Sequence, residues 1–267
     1  MHRVSVAAFV IVAFIATSST AYAGSITFSS AGPGAEGVEL SASALFEVSG
    51  DTLKITLRNT GDSSGTSKDL SANTLTGVFF DVPTGLTLTP VSAAIAPGDL
   101  VQSNKCDVGP CTGSTTNVGG EFAYGTGAWA PQHAGSHAIS SSGYLDPALG
   151  AGNFNGPNLD NPDAPNGINF GIIAPVTGTN PFKAETGNMK SNPLIEGEVV
   201  FTMLIAGGSL LESQISNVSF QYGTSFSEPK LPAGMSSPAT IPEPATLLLL
   251  APAIALAVRR RRSRTAR

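Results

Sequence analysis

Alternation with a period of two is the clearest pattern along the chain. In ALFEVSGDTLKITLRN at 44–59, Leu53, Ile55 and Leu57 alternate with Thr52, Lys54, Thr56 and Arg58, and Ser49, Gly50 and Asp51 supply a turn. Successive side chains on a strand point to opposite faces, so this stretch predicts a hairpin with one buried face. The pattern recurs in LTGVFFDV at 75–82, INFGII at 168–173, EVVFTMLI at 198–205 and ISNVSFQY at 215–222. Val199, Phe201, Met203 and Ile205 are expected on one face, as are Val218, Phe220 and Tyr222. No body segment carries a capped apolar stripe at helical period. The predicted fold is all-β, an antiparallel β-sandwich of jelly-roll-like type.

Between about 103 and 167 the texture changes to glycine, asparagine, serine and proline. A structureless loop of that length is unusual inside a compact domain, so short strands and loops packed on one end of the sandwich are expected. Loops on a rigid scaffold carry recognition, which makes this the expected binding surface. No fixed-period repeat points to a solenoid or propeller.

The two ends of the chain differ from the body. Arg3 gives a positive start, the 13 residues Val4–Ala16 are almost wholly apolar, and Thr17–Thr20 lead into Ala21, Tyr22 and Ala23. This is the layout of a secretory signal peptide, with small residues at the last and third-last positions, and it predicts a signal helix over 1–23 cleaved between Ala23 and Gly24. An apolar stretch this short does not favour a permanent span, which needs about 20 residues. The exported body is then 24–240, followed by a distinct tail at 241–267.

Charge sharpens that division. Of the 14 basic residues, Arg3, Arg259–Arg262, Arg264 and Arg267 lie outside the body, and of the 19 acidic residues only Glu243 does. The body therefore carries 7 basic and 18 acidic groups, a formal charge of −11 against −5 for the whole chain. Such a body repels nucleic acid and anionic lipid, so neither is expected as its partner.

Candidate chemistry is sparse. Cys106 and Cys111, in CDVGPC, are expected to pair as a structural disulfide in an oxidising exported setting, with Gly109 and Pro110 turning the chain. A zinc site needs further ligands at a second spacing, which the sequence does not offer. GDSSG at 61–65 fits a nucleophile-elbow pattern around Ser63, yet TSKDLSANTLTG after it is polar and then strand-like. An elbow must open a helix, and the chymotrypsin order needs a histidine upstream, whereas His133 and His137 lie downstream. GPGAEG at 32–37 matches a dinucleotide fingerprint by letter but precedes a strand-like alternation and no helix. His133 and His137 are four apart beside Pro131 and Gly135, which predicts exposed loop histidines and no metal pair. NLDNPDAPNG at 158–167 places Asp160 and Asp163 where calcium is a minor alternative to a plain turn. No cofactor is expected. Tyr124, Trp129 and Tyr144 are the candidate ligand contacts: their rings either stack on a sugar face or plug the end of the core.

The tail is the most specific feature. Pro242, Glu243 and Pro244 are held extended, because proline fixes its own φ and biases the residue before it away from helix. Ala245–Val258 follows with 14 apolar or small residues. As a transmembrane helix it would be about 21 Å long, a marginal span interrupted by Pro252. Arg259, Arg260, Arg261 and Arg262 would keep the C-terminus cytoplasmic and leave the body outside.

This array over 241–262 closely resembles the PEP-CTERM sorting signal of Gram-negative bacteria: a Pro-Glu-Pro motif, a short membrane helix and a terminal arginine cluster. The resemblance implies recognition by an exosortase, with Pro242, Glu243 and Pro244 as the sorting motif, after signal peptidase has acted at the other end. It also implies an inner-membrane intermediate followed by residence at the cell surface or in an exopolysaccharide matrix. LTGVFFDV, GGEFAYG and SNVSFQYGT are similar to the body of one group of exosortase-dependent surface proteins. The same tail occurs on unrelated bodies, so it carries no catalytic implication. The expectation is an exported, non-enzymatic surface or matrix protein with a structural or adhesive body. The alternative is a carbohydrate-binding module of the matrix using Tyr124, Trp129 and Tyr144, and a secreted hydrolase ranks third.

Overall fold

The computed structural model describes residues 23–34, 37–61, 71–96, 100–102, 117–129, 131–145, 152–159, 167–174 and 192–235. Residues 1–22 of the signal helix expected over 1–23, and the membrane helix of the tail, lie outside them. Among the described residues no helix is long and apolar enough to cross a membrane.

The fold is all-β and built from two sheets. The first contains β1 (Ala23–Pro33), β2 (Glu39–Ser49), β3 (Thr52–Asn59) and β5 (Thr87–Ile95), together with β12 (Glu198–Ala206) and β15 (Gly234–Met235). Their order is β15-β1-β2-β3-β12-β5, with every neighbouring pair antiparallel.

The second sheet contains β4 (Leu75–Asp81), β6 (Leu100–Gln102), β7 (Ala123–Thr126), β8 (His137–Ser140) and β9 (Gly152–Asn153). It is completed by β10 (Ile172–Ile173), β11 (Leu194–Glu196), β13 (Ser216–Tyr222) and β14 (Lys230–Pro232). Here the order is β6-β11-β10-β4-β8-β7-β9, with the β13–β14 ribbon attached through β4. The pairing of β10 with β11 is parallel, so the second sheet is mixed where a purely antiparallel one was expected.

The predicted hairpin is present. β2 and β3 pair from Ser49↔Thr52 to Ala42↔Asn59 across Gly50 and Asp51. Gly50 takes φ +58, a left-handed conformation that costs glycine little. Leu53, Ile55 and Leu57 face inward, as do Phe46 and Val48 opposite them. Val199, Phe201, Met203 and Ile205 form the matching inward row of β12. A register shift between Thr202 and Met203 lets β5 follow β12 with Leu88 and then Ala93 and Ile95 turned inward.

The core lies between the two sheets. Val78, Phe80, Ile139, Val218, Phe220 and Tyr222 of the second sheet join the inward residues of the first in one buried cluster. Phe46 and Phe80 meet across the layers edge to face, with centroids 5.4 Å apart. At one end a polar tie joins the sheets: buried Asn59 donates from Nδ2 to the Ile172 carbonyl at 3.0 Å, and its Oδ1 accepts from the Gly61 N–H.

Two predicted strands depart from simple alternation, for identifiable reasons. INFGII pairs only at Ile172 and Ile173, because Phe170 takes φ 56 and folds 167–170 into a turn. Leu75–Phe80 is buried at every position, because β4 has a second apolar cluster on its outer face. Within the 103–167 region, β7, β8 and β9 are members of the second sheet, not a cap on the sandwich end; Val118, Phe122, Tyr124 and Phe154 enter the inter-sheet core, whereas Trp129, Tyr144 and Leu145 belong to the outer cluster.

Candidate functional site

Part of the region picked out for recognition, including Trp129, His133 and Tyr144, packs over the outer face of β4, β8 and β13. Cross-strand pairing places Ser219, Phe79, Ala138 and Gly125 in one row and Gln221, Gly77, Ser140 and Ala123 in the next. The small residues in these rows leave space for a layer of rings. A Cβ on Gly77 would overlap the Tyr144 hydroxyl, and one on Gly135 would overlap the Phe80 backbone, so the covering loop lies directly on the sheet.

Phe79 is the hub of that layer. His133 stacks on it with centroids 3.7 Å apart and planes 2° apart, Trp129 meets it edge to face at 5.3 Å, and Tyr144 and Phe226 flank it at 6.3 and 5.9 Å. Both ring nitrogens of His133 are engaged, Nδ1 with Ser219 Oγ at 2.8 Å and Nε2 with Gln221 Oε1 at 2.9 Å. Gln221 Nε2 donates to the Tyr222 and Ser225 carbonyls, with the Glu228 and Pro229 carbonyls slightly farther away. Its amide orientation is thereby set, so Oε1 accepts, His133 Nε2 carries the proton, and Nδ1 accepts from the Ser219 hydroxyl.

Burial holds the His133 pKa down to about 4; the Gln221 hydrogen bond opposes this and the charge of Lys230 adds to it. His133 is thus a neutral core residue at pH 7. This corrects the expectation of an exposed loop histidine: the loop does contain it, but the ring is only 3% exposed because it lies flat on Phe79.

His137 is half-buried on β8. Its Nδ1 lies 2.6 Å from the Tyr124 hydroxyl, whose pKa burial raises, so the phenol keeps its proton and donates. Burial lowers the His137 pKa, partly offset by Asp81. Burial also pushes the Asp81 carboxyl up, but hydrogen bonds outweigh that and hold it below 3.8. Ser136 donates to it from both its N–H and hydroxyl, and Asn217 from Nδ2 at 2.7 Å. Asp81 therefore pins the covering loop to β13. Asn217 takes φ 50, a conformation asparagine tolerates better than most residues.

The three candidate ligand contacts do not form one exposed platform. Tyr124 belongs to the inter-sheet core, whereas Trp129, 4% exposed, and partly buried Tyr144 belong to the outer cluster. Burial of Trp129 counts against stacking on a sugar and favours the plugging role. Beside the cluster, Pro131, Gln132, Asn217, Ser219, Lys230 and Pro232 line a groove of roughly 370 Å³. Among the described residues no group of three or more His, Cys, Asp or Glu side chains could hold a metal ion.

Several singled-out residues lie outside the described residues: Ala21, Ser63, Cys106, Cys111, Asp160, Asp163, Pro242, Glu243, Pro244 and Arg259–Arg262. Ala23 and Gly24 open β1, with Gly24 opposite Val48. Gly32 and Pro33 of the fingerprint-like stretch end β1, and β2 follows where a phosphate-binding helix would be required. Sequence reasoning missed the network of His133, Gln221 and Ser219. Its one visible signal was a glutamine set between two aromatic strand residues in FQY. Comparison with protein-family models, curated proteins and solved structures finds no match to this chain.

Proposed function

We propose that the protein is an exported surface or extracellular-matrix protein, sorted by an exosortase through its C-terminal signal, with a structural or adhesive body that is not an enzyme. The body is a jelly-roll-like sandwich carried between a cleaved signal helix and a C-terminal membrane helix. The observation that carries this reading is the order Pro242-Glu243-Pro244, Ala245–Val258, Arg259–Arg262 in a chain that also begins with a signal-peptide pattern. The strand arrangement supports it. β15 runs antiparallel beside β1, with Met235 opposite Phe28, so the chain leaves β15 heading toward the end of β1 at which it entered. The described body is therefore entered and left at the same end of the first sheet.

The test is Glu243→Ala. The substitution keeps the apolar segment and all arginines, so insertion and orientation survive while processing fails. The signal-cleaved full-length form then accumulates in the inner membrane, whereas wild type appears shortened at the surface or in the medium. Normal maturation of Glu243→Ala in a host with an active exosortase overturns the reading. Serine at Arg259–Arg262 acts differently, weakening the stop on translocation and letting more of the tail pass through.

A further inference from the structure

Glu212 occupies the place where a side chain of residue 24 would be. A Cβ built on Gly24 would overlap the Glu212 carboxylate carbon and both of its oxygens. Bond lengths of about 1.5 Å then put the carboxylate within about 5 Å of the Gly24 nitrogen. The backbone that carries Glu212 is held in place by its surroundings. Glu212 opens a 3₁₀ turn, Glu212–Gln214, in the crossing from β12 to β13, and this turn packs against β1 and β2. Leu210 and Ile215 on either side are buried in the inter-sheet core, and the Ile215 N–H bonds back to the Glu212 carbonyl at 3.1 Å. Lys54, Arg58 and Lys230 are the cations among the described residues, and none of them pairs with Glu212 there. A partly buried carboxylate therefore lies beside Gly24, within reach of its nitrogen, with none of the described cations paired to it.

That nitrogen is the one that signal-peptide cleavage after Ala23 changes. Hydrolysis of the Ala23–Gly24 bond consumes one water, leaves a carboxylate on Ala23 and places an ammonium on Gly24. We propose that Glu212 is the built-in receptor for the mature protein's N-terminal ammonium, forming an ion pair that exists only after processing. The pair ties the start of β1 to the β12–β13 crossing and closes that end of the sandwich. Gly24 is required for it, since any side chain there would displace the carboxylate. The inference rests on export through a cleaved signal peptide, and it is independent of what happens at the tail.

The experiment uses the exported full chain, whose starting residue is read by intact mass, and follows the pH dependence of α-amine acylation. Wild type is expected to start at Gly24 and to titrate roughly one unit above the ordinary α-amino range, as an opposite charge within about 4–6 Å requires. Its α-amine is then acylated about tenfold more slowly at pH 7 than that of Glu212→Gln, which titrates in the ordinary range. A mature chain lengthened by one alanine before Gly24, with Glu212 intact, is expected to behave like Glu212→Gln, because its ammonium lies about 3.5 Å farther along the strand. Equal midpoints in wild type and both variants overturn the pairing while leaving the cleavage reading intact. A mature chain that starts elsewhere overturns both. Failure of the tail to be processed alters the mass at the other end only.

Discussion

His133 lies flat against Phe79, ring planes 2° apart and centroids 3.7 Å apart, with each of its nitrogens in a hydrogen bond. The stack joins the covering loop to the central strand of the second sheet. It also makes the loop's attachment depend on a group that can be charged.

Acid is therefore expected to loosen the body. Burial lowers the folded-state pKa of His133 to about 4 from 6.5, so the unfolded chain takes up the proton first. The neutral-histidine contribution is fully present above pH 6.5 and is lost as pH falls toward 4, at up to about 1.4 kcal/mol per unit. The stability difference between pH 7 and 4.5 attributable to His133 is about 2 kcal/mol, read from urea unfolding midpoints. His133→Gln, which cannot titrate, flattens that slope; an unchanged slope in the variant refutes the assignment.

Gly77 is expected to resist substitution. In Gly77→Ala the new methyl meets the Tyr144 hydroxyl and lies 2.9 Å from the Ile139 carbonyl oxygen. Overpacking of this kind costs about 1–3 kcal/mol. Adding Tyr144→Phe removes one of the two clashes and recovers part of the loss, which a double-mutant cycle of denaturation measurements detects.

The inter-sheet contact of Phe46 with Phe80 is expected to dominate cohesion of the layers. Both rings are fully buried, and either alanine substitution leaves a cavity costing about 3–5 kcal/mol. Because the rings touch, the double variant costs less than the sum of the two, as thermal or chemical unfolding of all four proteins would show.

Trp129 is the chain's single tryptophan, so its fluorescence reports the outer cluster directly. Its 4% exposure predicts emission of a buried indole, poorly quenched by acrylamide and shifted to the red only on unfolding. Sugars are expected to leave the spectrum unchanged. A saturable shift on titration with an acidic or neutral polysaccharide would instead restore Trp129 to the list of ligand contacts.

Cys106 and Cys111 are expected to be recovered from exported protein as one disulfide, two hydrogens lighter under non-reducing mass spectrometry. Rapid alkylation that finds both thiols free refutes the pairing.

The alternating pattern by itself determined the all-β class, the β2–β3 hairpin and the inward rows of β12 and β13, since a side-chain period of two leaves one choice when one face is buried. The three-part reading of the tail likewise rests on local sequence alone, because its elements are contiguous. What it could not determine was the second apolar layer. Residues 75–80 read as one more half-buried strand, and only long-range pairing with β8 and β13 decided that Phe79 would be covered as completely as Phe80. The fate of His133 was decided in the same way. Its neighbours Pro131 and Gly135 describe a loop correctly, but Phe79, Ser219 and Gln221, which make it a neutral core residue, lie far away along the chain. The approach of Glu212 to Gly24 is the extreme case, joining the start of β1 to the β12–β13 crossing. Periodicity reports which face a residue takes; which distant groups meet it there is settled by register and layer packing, which are properties of the assembled sheets.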